Sequence, residues 1–329
     1  MKKKLLILLT ILLGAVGLGL GGVYLYVDTK IHEVGPLAED VTVVVPRGQG
    51  VRAIGRALQE ANVIHDERYF TLQARLSGAH KLLKAGEYKF VPGMNIPEIL
   101  AHLSSNDTVV RSITIPEGLT SREIVDLLYA EEALQGDVSD MPEQGSVLPE
   151  TYHYNLGDTR EDILGRMRVS LDQSRAKLMQ SARLQELPYK TWEEVLTLAS
   201  IVEKETAVGA ERPQVASVFV NRLKKGMRLQ SDPTVIYALT DGLKPLGRSL
   251  TRQDWKVNHP YNTYVVKGLP PGPIGNPGLD SIKAVLNPLQ TDYLYFVADG
   301  SGGHAFAKTL KEHNRNVAAW RKFKKQQQN

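Results

Sequence analysis

TWEEVLTLASIVEKET, residues Thr191–Thr206, reads as a helix with a marked start and an unusual end. Thr191 is placed to cap the first turn, and Glu194 three residues on completes a capping box. At about 100° per residue, Val195, Leu196, Leu198, Ala199, Ile201 and Val202 share one continuous apolar face. Two carboxylates close the segment. Glu205 falls inside the apolar arc, near Leu198 and Ile201, whereas Glu203 sits at its other edge beside Leu196 and Ala199. A carboxyl on the apolar side is costly unless it is paired or used. Burial raises its pKa, as a general acid working near neutrality requires. A solvated helix end is the competing reading, and the wheel alone leaves both open.

Outward from this helix, the C-terminal third is dense in turn chemistry. Leu187–Pro188 breaks the chain ahead of it, which sets a boundary near 186. A second helix begins around Pro213, carries Val215, Val218, Phe219 and Leu223 inward, and ends by Gly226. Met227–Thr234 forms a loop leading into Val235–Leu239. The run Gly268–Gly278, GLPPGPIGNPG, is too rich in Pro and Gly for a helix or a central strand, so it is a shaped loop. Tyr293–Val297 is the strongest strand signal, Asp299–His304 reads as a turn, and the tail from Arg321 is expected to fray.

Towards the N-terminus, three segments repeat a pattern. Val43–Gly48, Tyr88–Gly93 and Ile113–Gly118 each run from a β-branched or aromatic stretch to a Pro/Gly turn, followed by helical spacing. They read as two or three βα modules over 41–105 and 111–185. The first resembles a LysM-like module, a glycan-binding class; a spacer is the alternative. Ahead of it, three lysines precede Leu5–Val27, an uncharged run longer than the about 20 residues a bilayer-spanning helix needs. Tyr24 and Tyr26 suit an interfacial aromatic belt, and the lysines favour a cytoplasmic N-terminus.

Composition narrows the chemistry. The 329 residues are 42% hydrophobic with a net charge of +4, too mild and too evenly spread to indicate nucleic-acid binding. Cysteine is absent, so thiolate metal sites and cysteine nucleophiles are excluded. The eight histidines are scattered without metal-ligand spacing. No G-x-S-x-G or P-loop is present, and no cofactor motif stands in a usable context. Glycan chemistry remains, because it needs only carboxyls and a cleft of aromatic, amide and hydroxyl groups. Gln230, Tyr261, Asn262, Tyr264 and Asn276 supply these in loops around the carboxylate-bearing helix.

The strings ASIVEKETAV, VASVFVNRL, MRLQSDPTVIY, PYNTY, GLPPGPIGNPG and YLYFVADGSGGHAF, with LPETY upstream, resemble the MltG/YceG-like endolytic murein transglycosylases. The resemblance implies a membrane-anchored lyase that cleaves the MurNAc–GlcNAc bond of peptidoglycan internally and leaves a 1,6-anhydroMurNAc end, terminating or releasing nascent strands. It places the catalytic acid in the EKE segment. Glu205-Thr206 best matches the Glu-Ser pair of wider lytic transglycosylases, so Glu205 is chosen over Glu203. Candidate substrate contacts are Glu150, Asn221, Gln230, Ser231, Asp232, Tyr261, Asn262 and Tyr264. Expected partners are glycan strands, the inner membrane and, by the resemblance, peptidoglycan synthases, with no nucleic acid and no cofactor. The fold expected is α+β. It comprises a cytoplasmic tail (1–4), a transmembrane helix (5–27), a LysM-like βα module (28–110), a middle βα region (111–185) and a mixed α+β catalytic domain (186–329). The bulk of the chain is placed outside the cytoplasm. A non-catalytic, membrane-anchored glycan-binding scaffold is the alternative.

Overall fold

The structure, a computed structural model, describes residues 2–105, 107–181 and 184–327. It divides into two compact units, Met1–Arg111 with Asn155–Gly157, and Ser112–Tyr154 with Asp158–Asn329.

In the first unit, helix α1 (Lys2–His32) contains a segment, Leu6–His32, whose most apolar 18 residues have a mean hydropathy of 2.4, long enough to cross a bilayer. The sequence places the end of the span at Val27, but the helix runs on to His32. Its last turn is not free: Ile31 is buried in the unit's core and Val27 packs against it. Strand β1 (Val41–Val45), helices α2 (Val51–Glu60) and α3 (Glu67–Leu76), strand β2 (Gly86–Phe90) and helix α4 (Ile96–Ser104) follow. The two strands pair antiparallel, from Val41 opposite Phe90 to Val45 opposite Gly86. Their inward residues and the helices enclose Leu58, Phe70, Tyr88, Phe90, Ile99 and Leu103. Asn95 and Glu98 form a capping box that starts α4.

The second unit opens on β3 (Arg111–Thr114), whose first residue still belongs to the first unit. Helix α5 (Ser121–Ala130) follows, and β3 pairs with β4 (Thr151–Tyr154). Thus all three repeat segments are strand, turn and helix. The first two share one sheet, and the third pairs with the strand of LPETY. The turn glycines Gly48, Gly93 and Gly118 lie at φ of 80°, 94° and 78°, a region that side-chain-bearing residues resist.

Helix α6 (Arg160–Ser181) leads to α7 (Trp192–Glu205), α8 (Arg212–Lys224), α9 (Asp232–Thr240) and α10 (Leu279–Leu286). A hairpin of β5 (Tyr295–Ala298) and β6 (His304–Ala307) and the closing helix α11 (Leu310–Gln327) complete the fold. The strand signal at Tyr293–Val297 is therefore displaced towards Ala298, and the tail expected to fray is helical to Gln327. The capping box of Thr191 and Glu194 starts α7 as the sequence indicates. Val195, Leu198, Ala199, Ile201 and Val202 are fully buried in the unit's main core.

The Pro/Gly-rich loop is fastened on two sides. Ser200 Oγ accepts the Ile274 amide at 3.0 Å. Asn276, fully buried, exchanges backbone bonds with Gly118 and Leu119 at 2.8 Å, while its side-chain amide donates to Leu119 O and Ser121 Oγ. The middle region and the C-terminal region are thereby joined within one unit.

Candidate active site

The two carboxylates at the end of α7 have different surroundings. Glu203 accepts Arg212 Nη2 at 2.8 Å on one oxygen and the Gly278 amide at 2.9 Å on the other. Its side chain is only 5% exposed, and Arg212 also bonds Glu117 at 2.8 Å. Glu203 is thus fully engaged in holding the loop before α10 and the start of α8 against α7.

Among the described residues Glu205 has no cationic partner in hydrogen-bond range. Ser231 Oγ donates to Glu205 Oε1 at 2.5 Å. Burial pushes the Glu205 carboxyl up to about 7; the Ser231 bond opposes this, Asp232 adds to it, and His304 and Arg222 pull it back. A carboxyl that titrates there holds its proton in a large fraction of molecules at neutral pH and can also take one back.

The supporting shell is built from three segments. Gln230, Ser231 and Asp232 lead into α9. Gln230 stands at φ 52°, unusual for a residue with a long side chain, and its amide bonds Thr263 O at 3.2 Å. Ser231 is buried, and its amide donates to Thr263 Oγ1 at 3.0 Å, which aims the hydroxyl at Glu205. Thr234 Oγ1 donates to Ser231 O at 2.6 Å and lies 2.8 Å from Thr263 Oγ1. Asp232 is exposed, and its Oδ1 accepts Tyr264 Oη at 2.7 Å and Trp255 Nε1 at 3.0 Å. The Trp255 and Tyr264 rings stack, with centroids 5.5 Å apart and planes 18° off parallel. Burial, and next the bond to Asp232, push the Tyr264 phenol up, so it remains a donor.

On the other flank, Thr206 leaves the helix in extended conformation, and Glu211 receives the His304 amide at 2.9 Å and faces His304 Nδ1 at 2.7 Å. Arg222 donates to Leu294 O and Leu229 O, and stacks over Tyr295.

Glu205, Ser231, Asp232 and Tyr264 therefore come together, with Gln230 adjacent in the chain. Four other sequence-derived candidates have different surroundings. Asn262 is fully buried, donates to the Trp255 and Val257 carbonyls and accepts the Tyr264 amide, so it shapes the loop that presents Tyr264. Asn221 donates to the Thr291 and Tyr293 carbonyls. Tyr261 packs on Tyr237, centroids 4.7 Å apart. Glu150 is exposed, and its backbone carbonyl accepts the Ile115 amide. Residues that sequence reasoning passed over are Trp255, Glu211 and His304. The sequence reads His304 as the end of a turn; a histidine directly after the Gly-rich turn is the available signal.

Comparison with known proteins gives a consistent result. A family model described as the YceG-like family matches residues 43–319. A Bacillus subtilis protein named endolytic murein transglycosylase is 34% identical over 90% of this chain and 89% of its own length. A Streptococcus pneumoniae protein of the same name is 31% identical over 84% of this chain, which spans 58% of that longer relative. A crystal structure of a yceG-like protein from Listeria monocytogenes aligns with TM-score 0.52 and 33% identity, covering 84% of this chain and 99% of that one.

Proposed function

The chain belongs to the YceG-like family, and we propose that it is an endolytic murein transglycosylase. The observation that carries the mechanism is Glu205, a carboxyl raised to about 7 and held by the Ser231 hydroxyl at the end of a buried helix. Protonated Glu205 donates to the oxygen of the MurNAc–GlcNAc bond as that bond breaks. The N-acetyl group of MurNAc stabilises the cationic C1. Glu205, now a carboxylate, takes the proton of the MurNAc C6 hydroxyl as O6 attacks C1, leaving a 1,6-anhydro end. Ordinary glycosidases need a second carboxyl as nucleophile or base. Here the attacking hydroxyl belongs to the same sugar, and proximity replaces part of that work.

Tyr264, Asp232, Gln230 and Ser231, grouped with Glu205, are the first candidates for sugar contacts, and Glu150, Asn221, Tyr261 and Asn262 are further ones. The first unit is read as a LysM-like glycan-binding module. Its strand–helix–helix–strand order with antiparallel strands supports this reading. Helix α1 serves as a single-pass anchor with the lysines in the cytoplasm and the chain beyond it outside, the side on which peptidoglycan synthases would be met as partners. Deleting 41–105 is expected to weaken binding to isolated sacculi without changing the product formed.

Product analysis of digested sacculi tests the reading. Internal cuts with 1,6-anhydroMurNAc ends are expected. Reducing ends would mean hydrolysis, and binding without cleavage would make the protein a scaffold.

A further inference from the structure

We propose that Asp232 is a second catalytic carboxylate, which accepts the N–H of the MurNAc acetamido group while that group's carbonyl oxygen engages C1. The inference rests on the transglycosylase reading of the same site and deepens it.

Three observations carry it. First, Asp232 follows directly on Ser231, whose hydroxyl touches the Glu205 carboxyl, and its charge is felt at that carboxyl. Secondly, its two oxygens are used unequally. Oδ1 takes both the Tyr264 hydroxyl and the Trp255 indole N–H, whereas Oδ2 receives no hydrogen bond from any described residue. A purely structural acceptor at a loop–helix junction has no need of two aromatic donors on one oxygen of an exposed side chain. Two fixed donors set the plane of the carboxylate and leave one oxygen to face a ligand. Thirdly, the donors are a stacked indole and phenol, a rigid apolar wall of the kind a sugar ring lies against. An open, oriented carboxylate oxygen matches a hydrogen-bond donor, and the donor that MurNAc carries next to C1 is its acetamido N–H.

The step balances without water. The acetamido carbonyl oxygen bonds to C1 as the C1–O4 bond breaks, and the Glu205 proton goes to O4. The acetamido nitrogen now bears positive charge, and its N–H is held by Asp232. The C6 oxygen then attacks C1, the C1–acyl oxygen bond breaks, and the C6 hydroxyl proton passes to Glu205. The negative charge of Asp232 also favours the protonated form of Glu205 before the first step.

The test uses the full chain, sacculi, and a muramic thiazoline that mimics the bicyclic intermediate. Asp232→Asn is expected to form anhydro ends about 10²-fold more slowly and to lose about tenfold or more in thiazoline affinity. Parental rates, or slow cleavage with undiminished thiazoline affinity, overturn the proposal. So does a rise in reducing ends from the parent on longer digestion, which would make Asp232 a base for water. Should Asp232→Asn fail to fold, Tyr264→Phe decides. It removes one donor and keeps the carboxylate, so it must weaken thiazoline binding several-fold, and unchanged binding overturns the proposal. If the parent itself makes no anhydro ends, it is the transglycosylase reading that fails.

Discussion

Glu205 and Glu203 lie two positions apart, yet their environments divide the work between them. Glu203 is saturated by Arg212 and the Gly278 amide, whereas Glu205 keeps a raised pKa and one hydroxyl donor. Two consequences follow at this scale. On the proposed mechanism activity requires the protonated acid, so kcat/KM for anhydro-end formation is expected to fall as pH rises through about 7, roughly tenfold per unit well above it. A profile flat to pH 9 contradicts this. The folded state also holds this proton more tightly than the unfolded chain. The group's favourable contribution is therefore complete below the ordinary value of 4.5 and is lost as pH rises towards about 7. Glu205→Gln cannot ionise and is expected to gain stability relative to the parent across that window, as measured by denaturant unfolding at pH 4.5, 6 and 8. The wheel revealed the arc that singles out Glu205, and the Gln-Ser-Asp string supplied its neighbours. The Glu211–His304 pair was not legible, because its members are 93 residues apart and meet only through the closing hairpin.

At the scale of elements, the end of α7 is held by ties to three separate segments. Ser200 fastens the Pro/Gly-rich loop, Glu203 fastens the start of α8 and the residue before α10, and Ser231 comes from the loop before α9. Removing Glu203 leaves Arg212, whose side chain is 13% exposed, with the more exposed Glu117 alone among the described residues, and strips the Gly278 amide of its acceptor. Glu203→Ala is expected to cost about 3 kcal/mol, the lower end for breaking a buried pair because Glu117 remains. Denaturant midpoints check this, and parental stability would contradict it. Element types were readable from capping boxes, 3.6-residue periodicity and the Pro/Gly turns of the three repeats. Strand partners were not, since short strands of similar composition leave the pairing to tertiary packing. The helical tail was missed for a related reason. Its lysines and glutamines give no strong apolar stripe, while Phe323 packs over Gly300 of the hairpin.

At the scale of the molecule, α1 is both a membrane-length helix and, through Val27 and Ile31, part of the first unit's core. A chain starting at residue 23 is expected to leave the membrane fraction and keep its stability. A chain starting at residue 34 is expected to lose about 1.5–3 kcal/mol from the first unit, the worth of one buried Ile side chain. Fractionation without detergent and thermal unfolding distinguish the two, and a membrane-bound chain starting at residue 23 would contradict the anchor. The family strings crowd into the C-terminal third, where irregular loops must present particular polar groups, so function was most legible where secondary structure was least regular.

The most direct measurement of the central claim is the rate at which Glu205→Gln releases 1,6-anhydroMurNAc ends from sacculi, relative to the parent. Loss of about 10²–10⁴-fold or more is expected, since one group serves both proton transfers, with folding and sacculus binding retained. A Glu205→Gln variant that releases anhydro ends at the parental rate would contradict the assignment.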